Sequence, residues 1–459
     1  MIEYGKCSVK RFVINNSSLI VLLALCIYYS VVTLAPFHPN NAAAGREVAS
    51  AILSDVQETP TVVIITRDTK DDRAFAEAVR ETIELGGGSI LAVVHGDPLD
   101  ASAALKHVGD SFERVDAIAT IHAVSGWGVL KRDSLKEKAE KYPSFSGVSV
   151  FKPRSYTWPS FLTWGNLRNV INQNAVIAII SIGMTMVIIT AGIDLSVGSV
   201  FAVCGVTTAV SIYHLGGGVD AGIPGLLGCS LIGVGAACLC GVFNGMMVTW
   251  FRVPAFLVTL SVMMMARSLA LQIAVRHQQS VGGGGTPEAV AIGSEAFSWL
   301  GNGAILGVPN PILLMLGLYA AAHITMTRTS VGRYIYAVGG NPEAARLSGV
   351  PVSGVLIFVY ASCGAMAGIA GIVDASQFEG GRPIAGGTYE LQVIAAVVVG
   401  GTSLSGGEGT MMGTLVGALM IAVINNGLNM AGVQAYEKLF VFGALILVAV
   451  LLNGFKTRK

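Results

Sequence analysis

The chain has 459 residues, and its 29 lysines and arginines against 28 aspartates and glutamates leave a formal charge of +1, which gives no pull toward nucleic acid. Charged residues make up only 12% of it, about half the usual share for a soluble protein, while apolar residues reach 53%. That balance argues against a large water-soluble enzyme. The charges are also unevenly spread: residues 39–160 carry 31 of them, and the longer stretch 170–453 carries 18.

The first element in chain order is an apolar run, Leu19 to Leu34, preceded by Lys6, Lys10 and Arg11. No convincing small-residue cleavage site follows, and Pro36 and Pro39 come at once, so it reads as an uncleaved signal anchor rather than a removed signal peptide. Residues 39–157 then have a soluble composition and alternate in period. Strand-like runs at Thr61–Thr66, Ile90–Val94, Ala117–Ile121 and Gly147–Phe151 are separated by helical patterns at Arg73–Leu85, Asp100–Val108 and Ser134–Lys141. That order predicts a parallel sheet with helices on its faces, a small doubly wound α/β lobe.

From residue 158 onward the chain is apolar. A bilayer core of about 30 Å takes about 20 helical residues. Runs of that kind lie at Asn174–Thr190, Val197–Leu215, Ile223–Trp250, Pro254–Ala274, Pro311–Met326, Val355–Ile372, Leu391–Gly400, Met412–Asn429 and Leu439–Leu452. With the first run, the fold class is a polytopic α-helical membrane protein of about ten transmembrane helices, with the lobe inserted between the first and second. Basic residues are retained on the cytoplasmic side. The N-terminal cluster, Arg328 with Arg333 and Arg346, and Lys456 with Arg458 and Lys459 all fall inside on this topology. Both termini are then cytoplasmic and the lobe extracytoplasmic, in three parts: 1–38, 39–157 and 158–459.

Seven cysteines occur, none in the lobe, so no disulfide framework holds it. Cys238 and Cys240 are two apart with no histidine nearby, which suits buried apolar side chains better than metal ligands. The sequence calls for no metal or cofactor.

Three membrane segments carry functional information. In Ile189–Val200, Asp194 and Ser196 lie between apolar runs too close together for a proper loop. An acid there either caps the next helix at an interface or lines a cavity. A second interruption, Val399–Thr410, also combines small residues, serines and one acid. It is either a paired broken helix of a repeated transporter or a chance likeness of two glycine-rich turns. Its Leu404–Glu408 reads LSGGE, close to the signature of ABC ATPases, yet the chain contains no GxxxxGK[ST] phosphate loop, so the chain is not an ATPase. The third segment, Arg328–Val350, has Pro342 at a helix start, Glu343 in its first turn and Gly349 at its end. It reads as a helix of about two turns, presented with arginines and tyrosines as a docking face or serving as an amphipathic connector.

From about Tyr156 to Leu452 the chain resembles the permease subunit of ribose-type sugar-importing ABC transporters. The resemblance rests on Gly192–Gly198, Gly332–Ala337, Gly339–Asn341, Glu343–Ala345 with Gly349, Tyr389–Leu391, Val399–Leu404 and Asn425–Asn429. It implies a bacterial inner-membrane importer in which Arg333, Glu343, Ala344, Ala345 and Gly349 form the element that engages a separate ABC ATPase subunit. It further implies delivery of a ribose-like sugar by a soluble periplasmic binding protein, and a second permease copy, identical or paralogous, beside it in the lipid. Asp194, Ser196, Gln377, Glu390, Gln392 and Asn425 are the candidate pathway residues. The inserted lobe departs from that family and resembles half of a periplasmic sugar-binding protein, which suggests docking or regulation rather than capture. A gradient-driven secondary transporter or channel, or a membrane sugar sensor, are the alternative readings.

Overall fold

The computed structural model describes residues 17–56, 59–112 and 114–457. The basic residues Lys6, Lys10, Arg11, Arg458 and Lys459, and Cys7, lie outside the described residues, as does the side chain of Lys456. The chain divides into two compact units. One is Leu34–Ser160; the other joins the N-terminal segment to Phe161–Lys459. The boundaries thus fall a few residues from the expected 38/39 and 157/158.

Helix α1 (Ser17–Val32) belongs to the larger unit, where Tyr29 packs 6.1 Å from the Phe161 ring and Thr33 accepts the Phe161 N–H at 3.1 Å. The smaller unit opens with β1 (Leu34–Phe37) and α2 (Ala42–Asp55), then alternates β2 (Thr61–Thr66), α3 (Lys70–Leu85), β3 (Ser89–His95), α4 (Pro98–Ser111) and β4 (Ala117–Thr120). A short α5 (His122–Ser125), α6 (Arg132–Lys141), β5 (Ser149–Phe151) and β6 (Tyr156–Pro159) complete it. Four strands form a parallel sheet in the order β3-β2-β4-β5, while β1 and β6 pair separately as an antiparallel ribbon.

Local chemistry explains these limits. Thr69 caps α3 by accepting the Asp72 N–H, and Asp97 forms a capping box with Asp100 at the start of α4. Residues Val62–Ile65 and Ile118 are fully enclosed, because helices cover both faces of the sheet; that is why β2 is an unbroken apolar run rather than an alternation. Helix α2 and the ribbon carry no strong period and are absent from the sequence reading.

The larger unit continues with α7 (Trp164–Ile189), α8 (Val197–Ser211, extended as a π turn to Gly216), α9 (Ile223–Trp250) and α10 (Ala255–Ser280). Next come α11 (Glu295–Asn302), α12 (Asn310–Arg328), α13 (Ser330–Gly340) and α14 (Pro342–Leu347). It closes with α15 (Val352–Gln377), α16 (Tyr389–Val399), α17 (Met411–Met430) and α18 (Ala435–Thr457). Among the described residues, seven helices are long and apolar enough to cross a membrane: α7, α8 with its π turn, α9, α10, α12, α15 and α17. Helices α1 and α16 are apolar but shorter. Every apolar run read from the sequence is helical. Cys238 and Cys240 are half-buried on α9 rather than enclosed.

The packing has an internal pattern. Helix α15 packs on α8 and α9 as α7 packs on α16 and α17, and α10 lies against α8 as α18 lies against α16. The series α7 to α10 and α15 to α18 are therefore built alike, as transporter repeats are. In each, the first helix is followed by an irregular segment, Thr190–Ser196 in one and Phe378–Thr388 in the other. The partner of the first interruption is thus residues 378–388, and not Val399–Thr410. The latter is the turn between α16 and α17, the counterpart of the glycine-rich turn between α8 and α9.

In the smaller unit, Asp116 holds the start of β2. Burial works against its charged form. The Thr61 N–H and hydroxyl at 2.9 and 2.8 Å, with Arg114 at 2.5 Å, nevertheless hold its carboxyl below the usual carboxylate range. A depressed folded value contributes stability above the unfolded value of about 4, and that contribution is lost as pH falls through the folded one. Hydrogen-exchange protection of β2 and β4 is therefore expected to drop below about pH 4. Asp116→Asn should lower protection at neutral pH and flatten that acid limb.

Candidate functional site

The two irregular segments define the site. After Ile189 the chain reverses through Ala191, a non-glycine residue at φ +59°, and Gly192, where a Cβ would lie 2.5 Å from the Tyr360 hydroxyl. A Cβ at Gly183, within α7, would meet Cys363, and the Gly192 N–H donates back to the Val187 carbonyl of α7 at 3.0 Å. Residues 190–196 therefore run back alongside the helix that led into them.

Asp194 is 1% exposed. Its Oδ1 accepts from the Ser196 N–H at 2.9 Å and the Ser196 hydroxyl at 2.6 Å, and the Ser196 hydroxyl accepts from Asn244 at 3.0 Å. Thr259 donates to the Ile193 carbonyl at 3.2 Å. An irregular backbone away from water needs such partners, and here α9 and α10 supply them with short side chains. Asp194 thus acts as a local tie at the start of α8, inside the helix packing rather than at an interface.

The second segment meets the first directly. A Cβ at Gly198, in the first turn of α8, would strike the Gly386 carbonyl and lie 2.9 Å from a carboxylate oxygen of Glu390; glycine is required by this approach. Phe201 and Tyr389 stack edge to face at 5.3 Å. The starts of α8 and α16 thereby come together, each at the end of an irregular stretch. Residues 378–388 include three positive φ angles, at Glu379, Gly386 and Thr388. Two arginines hold this stretch. Arg382 binds the buried Asp374 through two contacts, at 2.5 and 3.3 Å, and lies 3.6 Å over the Phe378 ring. Arg267, midway along α10, donates to the carbonyls of Pro383 and Ala385 at 2.9 and 2.7 Å.

Of the sequence candidates, Asp194, Ser196 and Glu390 are brought to this meeting point. Gln377 is at the far end of α15, where Asn302 donates to its carbonyl at 3.2 Å. Gln392 and Asn425 are half-buried on α16 and α17. Next to Asn425, Asn426 exchanges amide hydrogen bonds with Asn166 at 3.0 and 2.9 Å. The sequence reading missed Arg267, Asp374 and Arg382. The signal was available in Arg267, a lone charge inside an apolar run. Among the described residues no group of three or more His, Cys, Asp or Glu is placed to hold a metal ion.

The segment after α12 forms a second feature. Asn341 caps α14 by accepting the Ala344 N–H at 3.0 Å, Pro342 opens it, and Gly349 at φ +85° ends it, with its N–H on the Arg346 carbonyl. Glu343 and Arg346 pair at 3.1 Å with side chains 74% and 67% exposed, and Ala344 and Arg333 are exposed too. Ala345 is enclosed, so it seats this helix rather than presenting a surface. Beneath α13, Gly339 abuts the Ile189 carbonyl, Gly407 donates to that carbonyl at 2.8 Å, and Tyr336 donates to the Gly409 carbonyl at 2.7 Å.

Long apolar helices, two irregular segments meeting within them and one short exposed helix between α13 and α15 define a polytopic membrane transport protein. Residues 166–450 match the family described as branched-chain amino acid transport system / permease component, and the chain belongs to that family. It is 42% identical over 302 residues to the ribose import permease protein RbsC of Escherichia coli strain K12, covering 65% of this chain and 88% of that protein. The Bacillus subtilis strain 168 protein of the same name is 39% identical over 299 residues, with 65% and 88% covered. The xylose transport system permease protein XylH of Escherichia coli strain K12 is 33% identical over 357 residues, with 66% and 89% covered. No solved structure matches the chain.

Asp194→Ala leaves the Ser196 donors unpaired within the packing, at a cost of about 1–3 kcal/mol each. Thermal unfolding in detergent should show a clear loss for Asp194→Ala and a smaller one for Asp194→Asn, which keeps one acceptor.

Proposed function

We propose that this chain is the permease subunit of an ATP-driven importer that moves a ribose-like monosaccharide into the cytoplasm. The single observation that carries this reading is the 42% identity with a ribose import permease across 88% of that protein's length. The lack of a phosphate loop assigns ATP hydrolysis to a separate ABC ATPase, and the sugar is handed over by a soluble binding protein. The seven long apolar helices, the shorter α1 and α16, and α18 make ten crossings of the inner membrane, with both termini cytoplasmic. On that topology α13 and α14 face the cytoplasm, and Arg333, Glu343, Ala344 and Gly349 meet the ATPase while Ala345 anchors the helix.

The irregular stretch 382–388 supports a second permease copy, because Ile384 within it is 72% exposed and irregular backbone at membrane depth needs a protein or water cover. The pathway passes the junction of α8 and α16, where Glu390 lies. Gln377, Gln392 and Asn425 line its flanks, with Asp194 and Ser196 bracing it. The α/β unit is extracytoplasmic, with a core of its own, and serves as a docking module for the binding protein; with one sheet it offers half of a two-lobed cleft.

The test is uptake of labelled ribose by vesicles holding the chain with its ATPase and binding protein. Glu343→Lys reverses the charge of an exposed contact residue. It should cut uptake at least about tenfold, equal to about 1.4 kcal/mol, while ATP hydrolysis by the ATPase continues. Uptake that persists without any ATPase overturns the reading in favour of a gradient-driven transporter.

A further inference from the structure

Segment 382–388 is held in an unusual way. Its backbone is irregular, and the Pro383 and Ala385 carbonyls receive the same nitrogen, Nη1 of Arg267. Among the described residues, those two bonds are the only hydrogen bonds between α10 and this segment. Apolar packing does little at its centre, since Ile384, between the two bonded residues, is 72% exposed. The preceding turn is fixed separately by Arg382 on Asp374, and the following one by Gly386 on Gly198.

A guanidinium midway along a membrane helix is costly, and such charges mark working parts of transporters. A hydroxyl or an amide would satisfy a carbonyl at far lower cost, as Thr259 does for Ile193 in the matching segment. Arg267 differs in having a carboxylate nearby: Glu390, in the first turn of α16, meets Gly198 together with the Gly386 carbonyl, which follows directly on the Ala385 carbonyl that Arg267 holds. A carboxylate takes a charge-assisted hydrogen bond from a guanidinium. A move of the Arg267 head to Glu390 would therefore leave neither charge unpaired.

We propose that Arg267 is a positioning residue that latches segment 382–388 shut by holding the Pro383 and Ala385 carbonyls, and that its transfer to the Glu390 carboxylate frees the segment and opens the passage beside Gly198. The proposal rests on the import reading for its purpose, but not for its test. Once the two carbonyls are released, the segment loses its tie to α10 and Ala385 leaves the apolar packing that now half covers it. Glu390 acts as the receiver, so its removal favours the latched state.

Ala385→Cys in the purified full-length chain, reconstituted without an ATPase, reports opening through its rate of reaction with a membrane-impermeant maleimide. The unmodified chain, with its native cysteines, sets the background. Adding Arg267→Gln should raise the rate at least tenfold, Arg267→Lys should restore slow labelling in part, and adding Glu390→Gln should leave it as slow as in the Ala385→Cys parent or slower. Melting temperature is measured on each variant so that unfolding is separated from opening. Unchanged labelling in a folded Arg267→Gln protein overturns the latch, and so does Glu390→Gln labelling as fast as Arg267→Gln. If Arg267→Gln does not fold, a folded Arg267→Lys protein carries the comparison, and labelling equal to that of the parent overturns the latch. Because labelling needs neither sugar nor ATPase, its outcome is independent of whether the import reading holds.

Discussion

Backbone that is neither helix nor strand has to find its hydrogen bonds inside the protein once water is gone. Among the described residues, two such segments meet between the repeats, Thr190–Ser196 and 382–388, the latter following the short strand Gly380–Gly381. The first is tied by short side chains: Asp194 takes Ser196 donors and Thr259 serves the Ile193 carbonyl. The second is tied by arginines on long stems. Short enclosed groups have one position available, whereas a long half-buried arginine has several. The two repeats are alike in plan and opposite in electrostatic solution: short enclosed groups hold the first segment and arginines hold residues 382–385 of the second.

Close backbone approach accounts for glycines at several helix contacts. Gly183 sits on Cys363, Gly241 on the Tyr360 carbonyl, Gly364 on the Ala237 carbonyl and Gly417 on the Ala396 carbonyl. In lipid, helices gain little from burying apolar side chains against one another, and contact between small residues replaces it. Many glycines inside the long helices are therefore packing surface rather than turns.

The sequence made some features plain and hid others for definite reasons. Long apolar runs and the strand–helix alternation of residues 61–151 were legible, because period and length are local properties. The boundaries of α14 were legible as well, since Asn341, Pro342 and Gly349 each act on their own neighbours. The repeat was not. Its second interruption lacks the glycine–serine–acid pattern of the first, and the superficial likeness sits instead in the turn after α16. The role of Asp194 was visible only as two alternatives, because what distinguishes a cap at an interface from an interior tie is Asn244, which bonds Ser196 from 48 residues away. Asp374 escaped notice because the apolar run was read as ending at Ile372, two residues short of it.

The exposed helix pair and the central junction are joined by continuous backbone contact. Gly339 of α13 rests on the Ile189 carbonyl, which is both the last residue of α7 and the point from which segment 190–196 departs. That same carbonyl accepts from Gly407, and Tyr336 of α13 binds the Gly409 carbonyl, so α13 also rests on the turn that ends α16. One surface element thus bears on the root of the first stretch, at Ile189, and on the turn at the far end of α16. Glycine at positions 339 and 407 leaves no side chain to absorb a displacement, and a shift of α13 reaches the junction through main-chain atoms alone. Helix α13 thus touches both repeats, the first at the end of α7 and the second at the turn after α16.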